Sequence, residues 1–330
     1  MNYSYRTYGL GIVSSIRIAG LEPVESHGAE DFVRLEGGPE PEWARLGLGL
    51  PSQVLSHLPE TQGAGDPSFV LTQHGNAECF HLVYSDGTRF VVDASGQRIW
   101  GAYEPPLTAE DLATYFLGPV MGFLLRQRHL TSLHASCVEI NGHGIALSGE
   151  AGFGKSTTAA ALALRGYAVA SEDIVPLKQV AGQINVIPGY PRICLWPDSV
   201  ANLLDSAEAL PQLTPIWEKR YLALDGKRAK FCSQELPLGA IYVFGARSAK
   251  EQAPHLVSMS PREALLDLVQ NTYMNWLLDR EQRAVEFDFL ANLVKRVPVR
   301  RIIPHADPKK IGELCNLIVD DAQSILRNDD

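Results

Sequence analysis

No stretch of this chain approaches the roughly 18–20 consecutive apolar residues that a membrane-spanning helix needs. No excess of positive charge marks a surface for nucleic acid or an anionic membrane either: the 330 residues carry 29 Lys and Arg against 38 Asp and Glu, a formal net charge of −9. Cysteine is sparse. The five present (Cys79, Cys137, Cys194, Cys232 and Cys315) are odd in number, far apart and without a C-x-x-C pair. That argues against a disulfide framework or a zinc site and points to a reducing compartment, where thiols serve as small apolar side chains. The first residues, Met1-Asn2-Tyr3-Ser4-Tyr5-Arg6, lack the basic start and apolar run of a secretory signal. The expectation is a cytoplasmic protein that binds neither nucleic acid nor membrane. Repeats and low-complexity tracts are absent too. What remains is 45% hydrophobic and 20% charged, an ordinary globular composition with length enough for two domains.

Residues 1–105 read as mostly β. Tyr8–Ile18 contains one strand candidate, and Cys79–Tyr84, Arg89–Asp93 and Arg98–Tyr103 form an antiparallel meander turned at Asp86-Gly87 and Ser95-Gly96. Between them, Gly37–Pro41 and Gln62–Pro67 are loop-like. The segment Glu104-Pro105-Pro106-Leu107 is the boundary candidate, dividing a β-rich N-terminal domain (1–105) from an α/β domain (106–330). Thr108 then caps a helix that reaches about Gln127, with Gly118-Pro119 expected to kink or break it. Further on, Ser260-Pro261-Arg262-Glu263 is a capping box opening a helix to about Leu278. Two more helices are expected over Gln282–Arg296 and from Pro308 to about Leu326.

The most informative stretch is Gly149-Glu150-Ala151-Gly152-Phe153-Gly154-Lys155-Ser156-Thr157, which reads G-x-x-x-x-G-K-S-T. The apolar run Gly144–Ser148 ahead of it suits a buried strand, and Thr158–Arg165 behind it is rich in helix formers and closes at Gly166. Small residues let successive backbone N–H groups point at phosphates, and the positive end of the following helix adds its attraction. Lys155 would reach the β- and γ-phosphates, and the Ser156 hydroxyl would hold Mg²⁺. The plainer alternative is a tight strand-to-helix turn with an exposed lysine.

A phosphate loop that does chemistry needs a carboxylate to share the metal and a group to activate the acceptor. Glu172-Asp173 follow Lys155 by seventeen and eighteen residues, after a strand at Tyr167–Ser171 expected to return beside the phosphate-loop strand. One carboxylate can complete the metal shell while the other accepts a hydroxyl proton; two solvated acids at a strand end is the alternative. His134 lies on an apparent strand, Leu133–Ile140, that pairs through Asn141-Gly142 with the loop strand. From its residues alone it reads as a structural histidine. Arg192, after the Pro188-Gly189-Tyr190-Pro191 turn, and Lys219-Arg220 are cations that could lie on equatorial phosphate oxygens or could be ordinary surface charge.

The block Leu133-His134-Ala135-Ser136, Gly149–Thr157, Arg165-Gly166-Tyr167 and Ser171-Glu172-Asp173 resembles the catalytic domain of HPr kinase/phosphorylase, which carries a histidine, the phosphate loop and an acidic pair at these spacings. With Pro188–Asp198 and the Ser260 capping box, the chain looks closer still to the HPr-kinase-related proteins of bacterial peptide-modification gene clusters, which also carry a β-rich N-terminal region. The resemblance implies an α/β fold with the P-loop core shared by HPr kinase and phosphoenolpyruvate carboxykinase. It implies ATP on Lys155 and the loop from Gly149 to Thr157, Mg²⁺ shared by Ser156 and Asp173, Glu172 as general base, and His134 beside the transferred phosphate. Glu172 stands where the family has aspartate, one methylene shorter. The glycine-rich signature tied to phosphorolysis is missing after the acidic pair, so kinase activity without the reverse phosphorylase reaction is the expectation.

The function that follows is an ATP-dependent kinase whose acceptor is a hydroxyl, serine of a peptide or small carrier protein. Two other readings stand beside it: a kinase of a free hydroxyl metabolite such as serine, and a nucleotide-gated binding module without catalysis. The acceptor, the choice among ATP, GTP and pyrophosphate, and assembly into a homo-oligomer stay open.

Overall fold

The computed structural model describes residues 2–25, 32–58 and 69–327; the loop expected at Gln62–Pro67 lies outside them. The chain divides into two units, Met1–Gln127 with Thr214–Ile216, and Arg128–Leu213 with Trp217–Asp330. The division therefore falls after the helical stretch that follows Glu104–Leu107.

The first unit holds an eight-stranded sheet. Its strands are β1 (Tyr3–Thr7), β2 (Leu10–Ser14), β3 (Phe32–Gly37), β4 (Ser52–Leu58), β5 (Phe69–His74), β6 (Cys79–Tyr84), β7 (Arg89–Asp93) and β8 (Arg98–Ala102), with helix α1 (Glu42–Leu48) between β3 and β4. The spatial order is β1-β2-β3-β8-β7-β6-β5-β4. The expected meander is β6–β8, and it extends through β5 to β4. The candidate at Tyr8–Ile18 resolves into a hairpin: Tyr8 and Gly9 both adopt positive φ and form the two-residue turn between β1 and β2. Leu71, Leu82, Phe90, Ile99 and Phe116 are fully buried.

The helical stretch after Thr108 is not broken at Gly118-Pro119. It runs as α2 (Ala109–Tyr115), a π-helical turn (Phe116–Val120) and α3 (Met121–Gln127). Pro119 has no N–H to give to the helix ladder, and the wider turn accommodates its ring.

In the second unit, β9 (Ser132–Ile140) and β10 (His143–Gly149) form the expected hairpin, with Asn141 and Gly142 at positive φ. Helix α4 (Lys155–Leu164) follows the glycine-rich loop, then β11 (Val169–Ser171), β12 (Ile174–Val180), β13 (Gln183–Val186) and β14 (Arg192–Leu195). After these come α5 (Pro197–Leu204), β15 (Arg220–Ala223), β16 (Leu236–Phe244), β17 (His255–Ser258), α6 (Pro261–Gln270), α7 (Arg280–Leu293), β18 (Val299–Ile303) and α8 (Ile311–Arg327). The main sheet runs β10-β9-β12-β13-β16-β18-β17, and β16 also pairs with β10, so the path from β10 to β16 closes on itself. Mixed sheets with packed helices make this an α/β unit. No helix among the described residues is long and apolar enough to cross a membrane.

Two expectations change here. Strand β11 pairs with β9, not with β10, because β9 occupies the edge of β10 on that side and β16 the other. The helix opened by Ser260 stops at Gln270, short of Leu278: Thr272 bridges to Leu133, and Tyr273 N–H donates to the Ser132 carbonyl at 2.8 Å. Pairing with the sheet outcompetes one more helical turn.

His81 on β6 and His74 on β5 lie with ring centroids 6.1 Å apart, and the Nε2 atom of each is buried without a hydrogen-bond partner. Burial, with His74 and Arg89 adding like charge, pulls the His81 pKa from 6.5 to about 4. Its neutral form contributes stability that is present above pH 6.5 and is lost as pH falls towards 4. Hydrogen-exchange protection of the β6 and β7 amides should therefore drop across that window, and His81→Phe should flatten the dependence; equal pH dependence in both proteins would contradict this account.

Candidate functional site

Strand β10 ends at Gly149, where the backbone adopts φ +138°. A methyl group there would meet the carbonyl oxygen and amide nitrogen of Phe244 at 3.0 and 3.2 Å, so a side chain would have to push the Phe244 backbone away by a few tenths of an ångström. Gly152 (φ +81°) and Gly154 (φ +102°) make the other turns of the loop, and Gly154 caps α4. The helix lies close on the sheet because Ala159, Ala160, Ala161, Leu162 and Ala163 are buried in one cluster with Val138, Ile145 and Leu147.

Lys155 is buried, and its ammonium donates to the carbonyls of Gly149 (2.7 Å) and Glu150 (2.9 Å). Burial lowers its pKa, against which Asp173, Glu172 and Glu150 act to keep it charged. Thr157 shares a 2.9 Å hydrogen bond with Ser199 on α5.

The acidic pair follows β11 directly. Antiparallel to β9, which is antiparallel to β10, β11 points the same way as β10, so its end and that of β10 open on the same side of the sheet. Ser156 Oγ donates to Glu172 Oε1 at 2.7 Å, and the Cys194 N–H approaches Glu172 Oε2 at 3.5 Å. Burial pushes the Glu172 carboxyl up to about 7 and the charge of Asp173 adds to this, while Ser156, the Cys194 N–H and Lys219 act the other way. Asp173 sits at φ +66° and turns its carboxylate to His134, with Nε2 3.4 Å from Oδ1. Burial would raise its pKa, but the His134 hydrogen bond and charge, then Lys219 and Lys155, hold it low. The surroundings thus push the two neighbouring carboxyls in opposite directions, Glu172 up and Asp173 down.

His134 is fixed from behind. Its backbone N–H donates to the Asn271 carbonyl at 2.8 Å, and its ring meets Tyr273 edge-on at 6.1 Å. Arg192 is buried with its guanidinium 4.3 Å from the Tyr221 ring centroid, while the Lys219 ammonium lies 4.8 Å from the ring of Trp196 and 5.8 Å from that of Trp217. Lys219 acts on both acidic carboxyls; Arg192 acts on Cys194. Of the residues singled out in the sequence, Gly149 to Thr157, Glu172, Asp173 and His134 come together, and Arg192 stacks on Tyr221 within the two-stranded β14–β15 sheet. Sequence reasoning missed the Cys194 amide, Ser199, and the Asn271–Tyr273 segment. The Pro188–Asp198 stretch contains Cys194 and ends beside Ser199, but nothing local to Asn271–Tyr273 signals its approach.

The Ser156 and Asp173 oxygens are hard donors of the kind Mg²⁺ takes. No group of three or more His, Cys, Asp or Glu side chains suited to a metal occurs among the described residues. The Ser156 hydroxyl is bonded to Glu172 and Asp173 faces His134, and Mg²⁺, which takes one or two protein oxygens and fills its other positions with phosphate and water, suits so sparse a donor set.

Residues 127–191 match the family described as HPr Serine kinase C-terminal domain. The chain is 35% identical over 85 residues to an HPr kinase/phosphorylase of Clostridium kluyveri, covering 26% of this chain and 28% of that one. It is 36% identical over 90 residues to an HPr kinase/phosphorylase of Lactobacillus delbrueckii subsp. bulgaricus, covering 27% and 28%. The chain thus spans about a quarter of the length of the curated relatives it matches. Among solved structures, the Hpr(Ser) kinase/phosphatase from Coxiella burnetii aligns at 15% identity over 60% of this chain and 94% of that one, with a TM-score of 0.34.

The close approach of Gly149 to Phe244 is open to measurement. Gly149→Ala should cost about 1–3 kcal/mol in chemical denaturation from backbone strain alone, with the steric clash adding to it. Gly152→Ala, also at positive φ but with nothing within 4 Å of the added carbon, should cost less. Equal losses would mean that the contact with Phe244 has no energetic weight.

Proposed function

We propose that the chain is an ATP-dependent kinase with an HPr kinase/phosphoenolpyruvate carboxykinase-like P-loop core, transferring the γ-phosphate to the hydroxyl of a serine in a peptide or small carrier protein. The observation that carries this reading is the convergence of Lys155, Ser156, Glu172, Asp173 and His134 at one end of the β10–β9–β11 sheet. The match of residues 127–191 supports it. The acceptor oxygen attacks the γ-phosphorus, the bond from that phosphorus to the β-phosphate oxygen breaks, and ADP leaves. The hydroxyl proton passes to a carboxylate of the acidic pair. Bound Mg²⁺ would supply charge neutralisation on the phosphate oxygens. Lys155 exchanges its loop carbonyls for phosphate oxygens, and His134 orients Asp173. Residues 1–105 would serve acceptor recognition, and the absence of the phosphorolysis signature favours a one-way kinase.

A second assignment of the acids is favoured by one contact. Ser156 bonds Glu172 rather than Asp173, while Asp173 is the more exposed of the two and faces His134. On that reading Glu172 shares the metal with Ser156 and Asp173 is the base.

Labelled ATP and a seryl peptide library, with free serine in parallel, test the reading. If Glu172 is the base, Glu172→Gln should lower transfer by about 10²–10⁴-fold and leave Mg-ATP affinity within a few-fold of wild type. If Asp173 is the base, Asp173→Asn gives that pattern, and Glu172→Gln weakens metal-dependent nucleotide binding instead. Transfer by both variants at the wild-type rate would rule out the acidic pair as the proton acceptor. Ordinary ATP binding without transfer to any acceptor would make the chain a binding module.

A further inference from the structure

The glycine-rich loop has a cationic neighbour that no motif announces. Arg247 follows β16, three residues after Phe244, and Phe244 is paired in parallel register with Gly149. Its Nη2 lies 2.8 Å from where a methyl group on Gly154 would sit, so the guanidinium rests directly against the residue that caps α4. The backbone on both sides of it is pinned. Gly245 N–H donates to the Ile302 carbonyl, Ser248 N–H to the Pro304 carbonyl, and Ala306 N–H to the Ser248 carbonyl, each at 2.9 Å. The side chain itself is exposed and makes no hydrogen bond or ion pair with any described residue.

That placement is electrostatically unfavourable as it stands. The N-terminal end of a helix carries partial positive charge and disfavours cations, and the next residue in the chain is the buried Lys155. An anchored backbone has brought a guanidinium to a place where its charge is opposed, and no described carboxylate forms an ion pair with it. An anion seated in the loop would attract each of these positive groups and so offset their mutual repulsion. A guanidinium suits that role, since its planar fork can give two hydrogen bonds to phosphate oxygens.

We infer that Arg247 is a further nucleotide-binding residue, closing over the loop from the β16 side to bond the phosphate chain held by Gly149–Thr157. The inference rests on the nucleotide reading given above and adds to it a second wall for the phosphate site, supplied from a segment about ninety residues further along the chain. Arg247 would contact phosphate rather than base or ribose, since it abuts the loop itself.

Calorimetric titration of the full chain with Mg-ATP and, separately, with inorganic pyrophosphate tests this for wild type, Arg247→Gln and Arg247→Lys. A charge-assisted bond to phosphate predicts that Arg247→Gln raises both dissociation constants by the same factor, about 10–100-fold. Arg247→Lys should recover part of the loss by keeping the charge without the fork. The thermal midpoint of ligand-free Arg247→Gln should not fall below that of wild type, because the side chain loses no bond to any described residue and an opposed charge is removed. Unchanged affinity for both ligands overturns the inference, and so does a loss confined to ATP, which would put the guanidinium on the base or ribose. Failure of wild type to bind either ligand is a different result: it removes the nucleotide reading itself.

Discussion

The backbones of Gly149 and Phe244 approach so closely that a side chain at Gly149 would crowd the Phe244 backbone, and much of the second unit is arranged around that contact. It fixes the register of β10 against β16 at the point where β10 gives way to the loop. Because β16 also pairs with β13, and β13 leads through β12 to β9, the same contact closes the hydrogen-bonded path on which His134 and the acidic pair are mounted. The chemistry-bearing residues thus come from three strands that end, or begin, on one side of the sheet, the side on which α/β proteins bind ligands.

Charge balance is the second constraint. Lys155 and Glu172 are both buried, and neither would be tolerated alone. Lys155 is compensated by two carbonyls and by the field of Glu172, Asp173 and Glu150; Glu172 by a hydroxyl and a backbone amide; Asp173 by His134. Lys219, held near two tryptophans, adds a positive field on both acids. The site is a network of mutually dependent ionisations, and removal of one member shifts the others.

Local signals made part of this legible. The G-x-x-x-x-G-K-S-T stretch, the Asn141-Gly142 turn and the Ser260 and Thr108 helix starts each encode their geometry within a few residues, and each is found where the pattern puts it. Strands β3, β4 and β5 were not legible, because a single strand of six or seven residues carries little periodicity. The end of α6 was misjudged for a related reason: helical composition continues past Gln270, but a pairing with residues 132–133, about 140 positions earlier, takes precedence. The neighbour of β11 was wrong because hairpin order does not reveal which edge of β10 the chain has already covered. The site residues that lie near one another in sequence were readable; those delivered by the ends of other elements, such as Asn271, Ser199 and Cys194, were not.

The two carbonyl bonds of the Lys155 ammonium have a consequence for selectivity. A ligand entering the loop does not meet an empty cation; it must displace an internal solvation shell made of Gly149 and Glu150 oxygens. A single weakly charged group gains little over the carbonyls it replaces. A polyphosphate, bringing several negative oxygens at once, gains a great deal. The loop's own backbone therefore acts as a competitive threshold, setting a minimum charge density for anything that is to occupy the site.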